Sequence, residues 1–121
     1  MDKLLSGRRV LVVEDEMLVL MYTEDVLADL GCGSVAAAAT VDQALALIEA
    51  NVFDVAMLDM NLNGDETHSV ADALAARGVP FVFATGYAGH GLKDGHQDRP
   101  VLKKPFQDRE LAEVLTRLLS R

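Results

Sequence analysis

"RRVLVVEDEMLVLMYTEDVLADLG", residues 8–31, joins a short β-branched run bounded by charges to a stretch of about four helical turns that stops on a glycine. The apolar residues of Arg8–Glu14 run without alternation, which is the pattern of a strand buried on both faces. The following stretch, Glu16–Leu30, reads as a helix halted by Gly31. A strand feeding directly into a helix is half of a βαβ unit, and the rest of the chain repeats the theme.

"GSVAAAA" (33–39) is a weaker second strand. Thr40 and Gln43 then have the Ser/Thr-x-x-Glu/Gln spacing of a capping box, opening a second helix in "VDQALALIEA" (41–50). Val52–Asp59, "VFDVAMLD", is the third strand, with a turn signal at Asn63-Gly64. "THSVADALAARG" (67–78) is the third helix and "PFVFAT" (80–85) the fourth strand. "RPVL" (99–102) is a short fifth strand, and "DRELAEVLTRLL" (108–119) closes the chain as a helix. A fourth helix belongs between Thr85 and the fifth strand, but Gly89, Gly91 and Gly95 fall there. Each costs roughly 1 kcal/mol relative to alanine in a helix. The segment Ala88–His96 is therefore predicted to be short, frayed or in exchange. Five strands alternating with helices predict parallel βαβ units with right-handed crossovers, a doubly wound three-layer α/β sandwich.

The chain has 121 residues, half of them hydrophobic and a quarter charged, without a linker, repeat or low-complexity tract. This is one domain, long enough to bury about two-thirds of its unfolded surface. No apolar run is long enough to span a bilayer, and "MDKLLSGRR" is too short and polar for a signal peptide. The single cysteine, Cys32, leaves no internal disulfide, and a reducing cytoplasm is expected. A formal charge of −8 and only two adjacent basic pairs, Arg8-Arg9 and Lys103-Lys104, argue against nucleic acid and membrane as partners.

In a doubly wound sheet, ligands sit beyond the carboxyl ends of the strands where the strand order reverses. Those ends carry Glu14-Asp15, Asp59, Thr85 and Lys103-Lys104-Pro105. If the first and third strands are neighbours, three carboxylates converge. Two like charges 4 Å apart repel by roughly 4 kcal/mol at an effective dielectric of 20. A hard divalent cation with oxygen ligands, Mg²⁺ above all, would relieve that repulsion. Lys104 would add a second positive charge and Thr85 a neutral donor. A carboxylate nucleophile, a metal, a cation and a hydroxyl together suit phosphoryl transfer onto an aspartate.

These residues resemble a response-regulator receiver domain over essentially the whole chain. The resemblance implies a flavodoxin-like sheet of strand order 2-1-3-4-5. "VLVVEDE" is similar to the family's acidic pair, which implies Glu14 and Asp15 at the metal, Glu14 through water. "AMLDMNL" implies Asp59 as phosphoacceptor, Asn61 as the backbone-carbonyl metal ligand and the Met60 N–H as a phosphate contact. "FATG" implies Thr85 as the switch hydroxyl, with the Gly86 N–H beside it. "LKKPF" implies Lys104 as the phosphate-contacting lysine, before a cis peptide at Pro105. The implied activity is acceptance of a phosphoryl group from a histidine kinase or histidine phosphotransfer protein, with Mg²⁺ as cofactor. A receiver spanning residues 1–121 without an output domain is then expected to act as a monomer or weak dimer. It would serve as a phosphate shuttle, a sink, or an adaptor binding a downstream protein.

Two departures from the common pattern stand out. Val101 occupies the position of the usual switch aromatic, and Asn63 that of the usual proline. The run "FATGY" resembles the FATGxY-type receivers of alphaproteobacteria but is one residue shorter, so Tyr87 is either an alternative switch aromatic or an amphipathic surface tyrosine. The first helix is apolar on more than one side, with Met17, Met21 and Ala28 forming a second stripe. Core packing accounts for one arc, and the resemblance implies a helical hairpin of the kinase on part of the rest. A haloacid-dehalogenase-type phosphohydrolase is the rival enzyme. Its signature Asp-x-Asp belongs on the first strand, whereas "DMN" here lies on the third and lacks the second acid. A receiver that only binds would lack an acid, the acceptor or the lysine, and this chain has all of them.

Overall fold

The computed structural model describes residues 5–59, 61–62, 65–85, 100–104 and 106–119, of which 61, 62, 65, 66 and 85 are described by their backbone alone. In chain order the elements are β1 (Arg9–Val13), α1 (Met17–Asp29), β2 (Ser34–Ala38), α2 (Val41–Ala50) and β3 (Val55–Asp59). They continue with β4 (Asn61–Leu62), β5 (Asp65–Glu66), α3 (His68–Ala76), β6 (Phe81–Thr85), β7 (Val101–Lys103) and α4 (Asp108–Leu119). Five strands form one parallel sheet ordered β2-β1-β3-β6-β7. Counted over the sheet alone, that is the order 2-1-3-4-5 of a doubly wound, flavodoxin-like fold.

The period-two geometry of strands sorts their side chains into two cores. Val10 and Val12 of β1 join Met57 and Val82 beneath α1 and α4, with Val26, Leu27, Leu111 and Leu115. Leu11 and Val13 face the other way, joining Leu58, Phe81 and Phe83 beneath α2 and α3, with Ile48, Val70 and Leu74. The two aromatics of β6 meet edge to face, their centroids 5.4 Å apart. Both faces of the sheet are thus covered, and the near-continuous apolar runs of β1, β3 and β6 follow from that.

Local signals act as expected at most boundaries. Gly31 and Gly78 adopt φ of 81° and 72° just past α1 and α3, the left-handed conformation that glycine enters without steric cost. Thr40 caps α2 by accepting from the Gln43 N–H at 3.1 Å. The Gln43 side chain reaches back past the cap to the Ala39 N–H at 2.9 Å, one residue earlier than in the usual box. The third strand begins at Val55 and not at Val52, because Asp54 turns aside to bind the start of β1. Its carboxylate accepts from the Arg9 N–H and its own N–H donates to the Arg9 carbonyl, each at 2.8 Å. The fifth sheet strand runs over Val101–Lys103, slightly later than "RPVL" suggests. Pro100 has no N–H for a ladder, and its carbonyl accepts from Phe83.

The antiparallel pair β4–β5 was not anticipated. Asn61 pairs with Glu66 and Leu62 with Asp65, so the Asn63-Gly64 turn signal falls between two paired strands, although those two residues lie outside the described ones. Residues 86–99, including the fourth-helix segment, also lie outside them. Among the described residues no helix is long and apolar enough to cross a membrane.

Candidate functional site

β1 and β3 are paired neighbours with Val13 opposite Leu58, so Glu14 and Asp59 leave the sheet side by side at its carboxyl edge. Glu14 is 3 % exposed and Asp59 is also buried, while Asp15 is half-buried. Carboxylate oxygens of Glu14, Asp15 and Asp59 all lie within 4.8 Å of one another. β7 delivers Lys104 from the far side of β6. Its ammonium nitrogen stands 2.7 Å from Glu14 Oε1 and 3.1 Å from Asp59 Oδ2. Glu16, the N-cap of α1, contributes a further carboxylate 3.5 Å from the same ammonium. Its backbone N–H donates to Glu14 Oε2 at 3.1 Å.

The electrostatics follow from this crowding. Burial pushes the Glu14 carboxyl above its ordinary value, with Asp59 adding to the push. The hydrogen bonds from Lys104 and the Glu16 N–H hold the rise in check. Burial alone would pull the Lys104 ammonium down. Its bonds to Glu14 and Asp59 outweigh that, and it sits above its usual value. Four carboxylates around one ammonium leave an excess of hard oxygen donors, which fits a hard divalent cation such as Mg²⁺ and suits neither soft metals nor anions.

The strand ends named from sequence therefore converge as far as they are described: Glu14, Asp15, Asp59 and Lys104 share one cluster. Asn61 opens β4 next to Asp59, and Thr85 ends β6 in register with Lys103. Met60, Gly86, Tyr87 and Pro105 lie outside the described residues. Two neighbours of the site were not singled out as such. The hydroxyl of Thr67 donates to the Asp59 carbonyl at 2.7 Å. Tyr22 of α1 hydrogen-bonds Asp108 and the Phe106 carbonyl, tying α1 to the segment just after Lys104. Neither contact has a sequence signal, since both arise from pieces distant along the chain. The exposed apolar surface of α1 lies at its N-terminal half, beside the acids: Met17 is 67 %, Leu18 81 % and Met21 52 % exposed.

The carboxylate cluster and the lysine thus stand together at the switch point of a doubly wound sheet. Residues 10–116 match the family model described as the response regulator receiver domain, and the chain belongs to that family. Receiver domains are regulatory, bind Mg²⁺ at an acidic site, and interact with histidine kinases or phosphotransfer proteins. Among solved structures, the chain is similar to SdrG from Sphingomonas melonis Fr1, at 43 % identity and a TM-score of 0.83, covering 98 % of this chain and 99 % of that one. It is also similar to the BeF3-activated conformation of SdrG from Pseudomonas melonis Fr1, at 45 % identity and a TM-score of 0.80, over 94 % and 98 % of the two chains. A third similar structure is the receiver domain of sensor histidine kinase PA1611 from Pseudomonas aeruginosa PAO1, with a magnesium ion coordinated in its active-site cleft. It has 25 % identity and a TM-score of 0.78, over 96 % and 100 % of the chains. No curated protein sequence matches the chain.

Proposed function

We propose that this receiver is a single-domain response regulator that accepts a phosphoryl group on Asp59 from a phosphohistidine and signals through protein–protein contacts. The observation that carries the reading is the convergence of Glu14, Asp15 and Asp59 within 4.8 Å, with Lys104 3.1 Å from Asp59. Glu14, Asp15, Asp59 and the Asn61 carbonyl would hold Mg²⁺, which when bound neutralises charge on the phosphoryl oxygens. An Asp59 carboxylate oxygen attacks phosphorus in line, the P–N bond to the donor imidazole breaks, and its electron pair returns to that nitrogen. Lys104 shifts from carboxylate to phosphoryl oxygen, so its charge follows the charge being moved. By the family's pattern the Met60 and Gly86 N–H groups and the Thr85 hydroxyl would supply the remaining contacts, with Tyr87 as an alternative switch aromatic. Charge-assisted contacts of roughly 1.5–3 kcal/mol each from Thr85 and Lys104 approach the 5.5 kcal/mol or so of a full two-state switch. A bound partner completes the shift.

The exposed Met17, Leu18 and Met21 beside the acids support docking of a helical hairpin of the kinase or phosphotransfer protein. The chain turns over no external substrate and catalyses only its own phosphorylation and dephosphorylation. The test is phosphotransfer from candidate histidine kinases with Mg²⁺, comparing wild type with Asp59→Asn. Labelling of wild type alone is expected, and equal labelling of both overturns the assignment.

A further inference from the structure

Thr67 stands immediately before α3, at the N-cap, where a threonine ordinarily accepts from a helix N–H with its side chain. Here the side chain makes no such bond, although the Thr67 carbonyl accepts from Ala71 N–H as the first helical bond. The hydroxyl instead donates at 2.7 Å to the main-chain carbonyl of Asp59, eight residues earlier. Thr67 is 1 % exposed, so water does not compete for that bond. The contact closes the excursion containing the β4–β5 hairpin into a ring whose two ends are Asp59 and the first turn of α3. Asp59 is the last residue of β3. The Thr67 bond holds the Asp59 carbonyl at that end of the strand.

We propose that Thr67 is a positioning residue for the acidic site: its hydroxyl, withdrawn from capping α3, holds the Asp59 main chain and thereby aims the Asp59 carboxylate at Glu14, Asp15 and the cation they share. The inference rests on the Mg²⁺ reading given above and adds a residue to it. A carboxylate whose backbone can swing must be ordered at the moment of metal binding, and the ordering cost is taken from affinity. Groups that orient metal ligands from behind typically change metal affinity about 10- to 100-fold when removed.

The test is an Mg²⁺ titration of the full chain followed by NMR. In wild type the side-chain carboxyl carbons of Glu14 and Asp59 should respond to Mg²⁺, and the Asp59 carbonyl carbon and Thr67 methyl should move with the same Kd. Thr67→Val, which keeps the shape and loses the hydroxyl, should weaken Mg²⁺ binding about tenfold, the low end of that range. Thr67→Ser should restore binding to nearly the wild-type value. Wild-type affinity in Thr67→Val overturns the inference, whatever the change in Tm, and leaves the proposed function standing. Should the valine variant not fold, a Thr67 methyl that stays still in wild type while Asp59 moves overturns it equally. Silence of the wild-type carboxyl carbons overturns both readings together.

Discussion

Replacing Lys104 with methionine removes the only ammonium within the described cluster and keeps most of the side-chain volume. The variant leaves Glu14, Asp15 and Asp59 with oxygens within 4.8 Å of one another and without the Lys104 ammonium. At an effective dielectric of 20, each pair at that distance repels by about 3.5 kcal/mol. The protein need not bear the whole sum, because Glu14 can take up a proton. From an ordinary value of 4.5, protonation at pH 7 costs about 3.4 kcal/mol, and less as burial and its neighbours raise the value. The expected loss in Mg²⁺-free buffer is therefore about 3 kcal/mol, near the range for breaking one side of a buried ion pair. For a domain of this size that lowers Tm by roughly 10–15 °C.

Magnesium should reverse much of the loss. A ligand at 100 times its Kd stabilises by about 2.7 kcal/mol, and Lys104→Met should bind Mg²⁺ more tightly than wild type because no ammonium competes. The pH dependence separates the two proteins further. The folded Lys104 titrates above its ordinary 10.5, so its stabilisation is complete below that value and is lost as pH rises through the folded one. Wild type should lose stability in that window and the variant should not. Glu14 has the opposite character: a raised carboxyl favours the folded state as pH falls through its folded value toward 4.5. Acidification from pH 7 should therefore recover stability in Lys104→Met. Circular-dichroism melts in chelator and in a MgCl₂ series, each at several pH values, measure all of this. An unchanged Tm in chelator, or a loss that Mg²⁺ leaves untouched, refutes the electrostatic account.

Two further changes probe the frame and the docking face. A Cβ added at Gly33 would meet Gly7 main-chain atoms at 3.0 and 3.1 Å and the Arg8 carbonyl at 3.2 Å. Since these neighbours are backbone, Gly33→Ala should cost about 1–2 kcal/mol in a urea titration, the range for overpacking. Leu18→Asp combined with Met21→Asp should leave stability within about 0.5 kcal/mol per site, as for other exposed positions. The same pair should raise KM for phosphotransfer from the kinase while sparing labelling by a small phosphodonor such as acetyl phosphate, and equal losses with both donors would count against a docking role.

What could be read from sequence was whatever a short stretch of chain decides by itself. The charge-bounded run of β1, the Thr40 cap, and the glycine stops at Gly31 and Gly78 belong to that kind. So do the acids and the lysine, because doubly wound topology converts the end of each strand into a place near the switch point. Contacts between distant segments were illegible. Thr67 reads only as the first residue of the third helix, and only tertiary structure turns its hydroxyl to Asp59. Glu16 could be seen to follow the acidic pair, but its approach to Lys104 depends on where β7 enters the sheet. The β4–β5 hairpin escaped notice because strands of two residues carry no periodicity, leaving only the Asn63-Gly64 signal between them.

The separation of Lys104 from its partners along the chain has a consequence during synthesis. Asp59 and the acids before it leave the ribosome ahead of their counter-charge, which follows Asp59 by 45 residues. At 5–20 residues per second that is about 2–9 s of translation. Over that interval the nascent segment carries strands whose completed pairing would force bare carboxylates together. Docking of β3 beside β1 would then carry that repulsion until β7 arrives, a proton is taken up or a divalent cation substitutes. If the site takes magnesium as proposed, the same ion would relieve that repulsion in the unfinished domain.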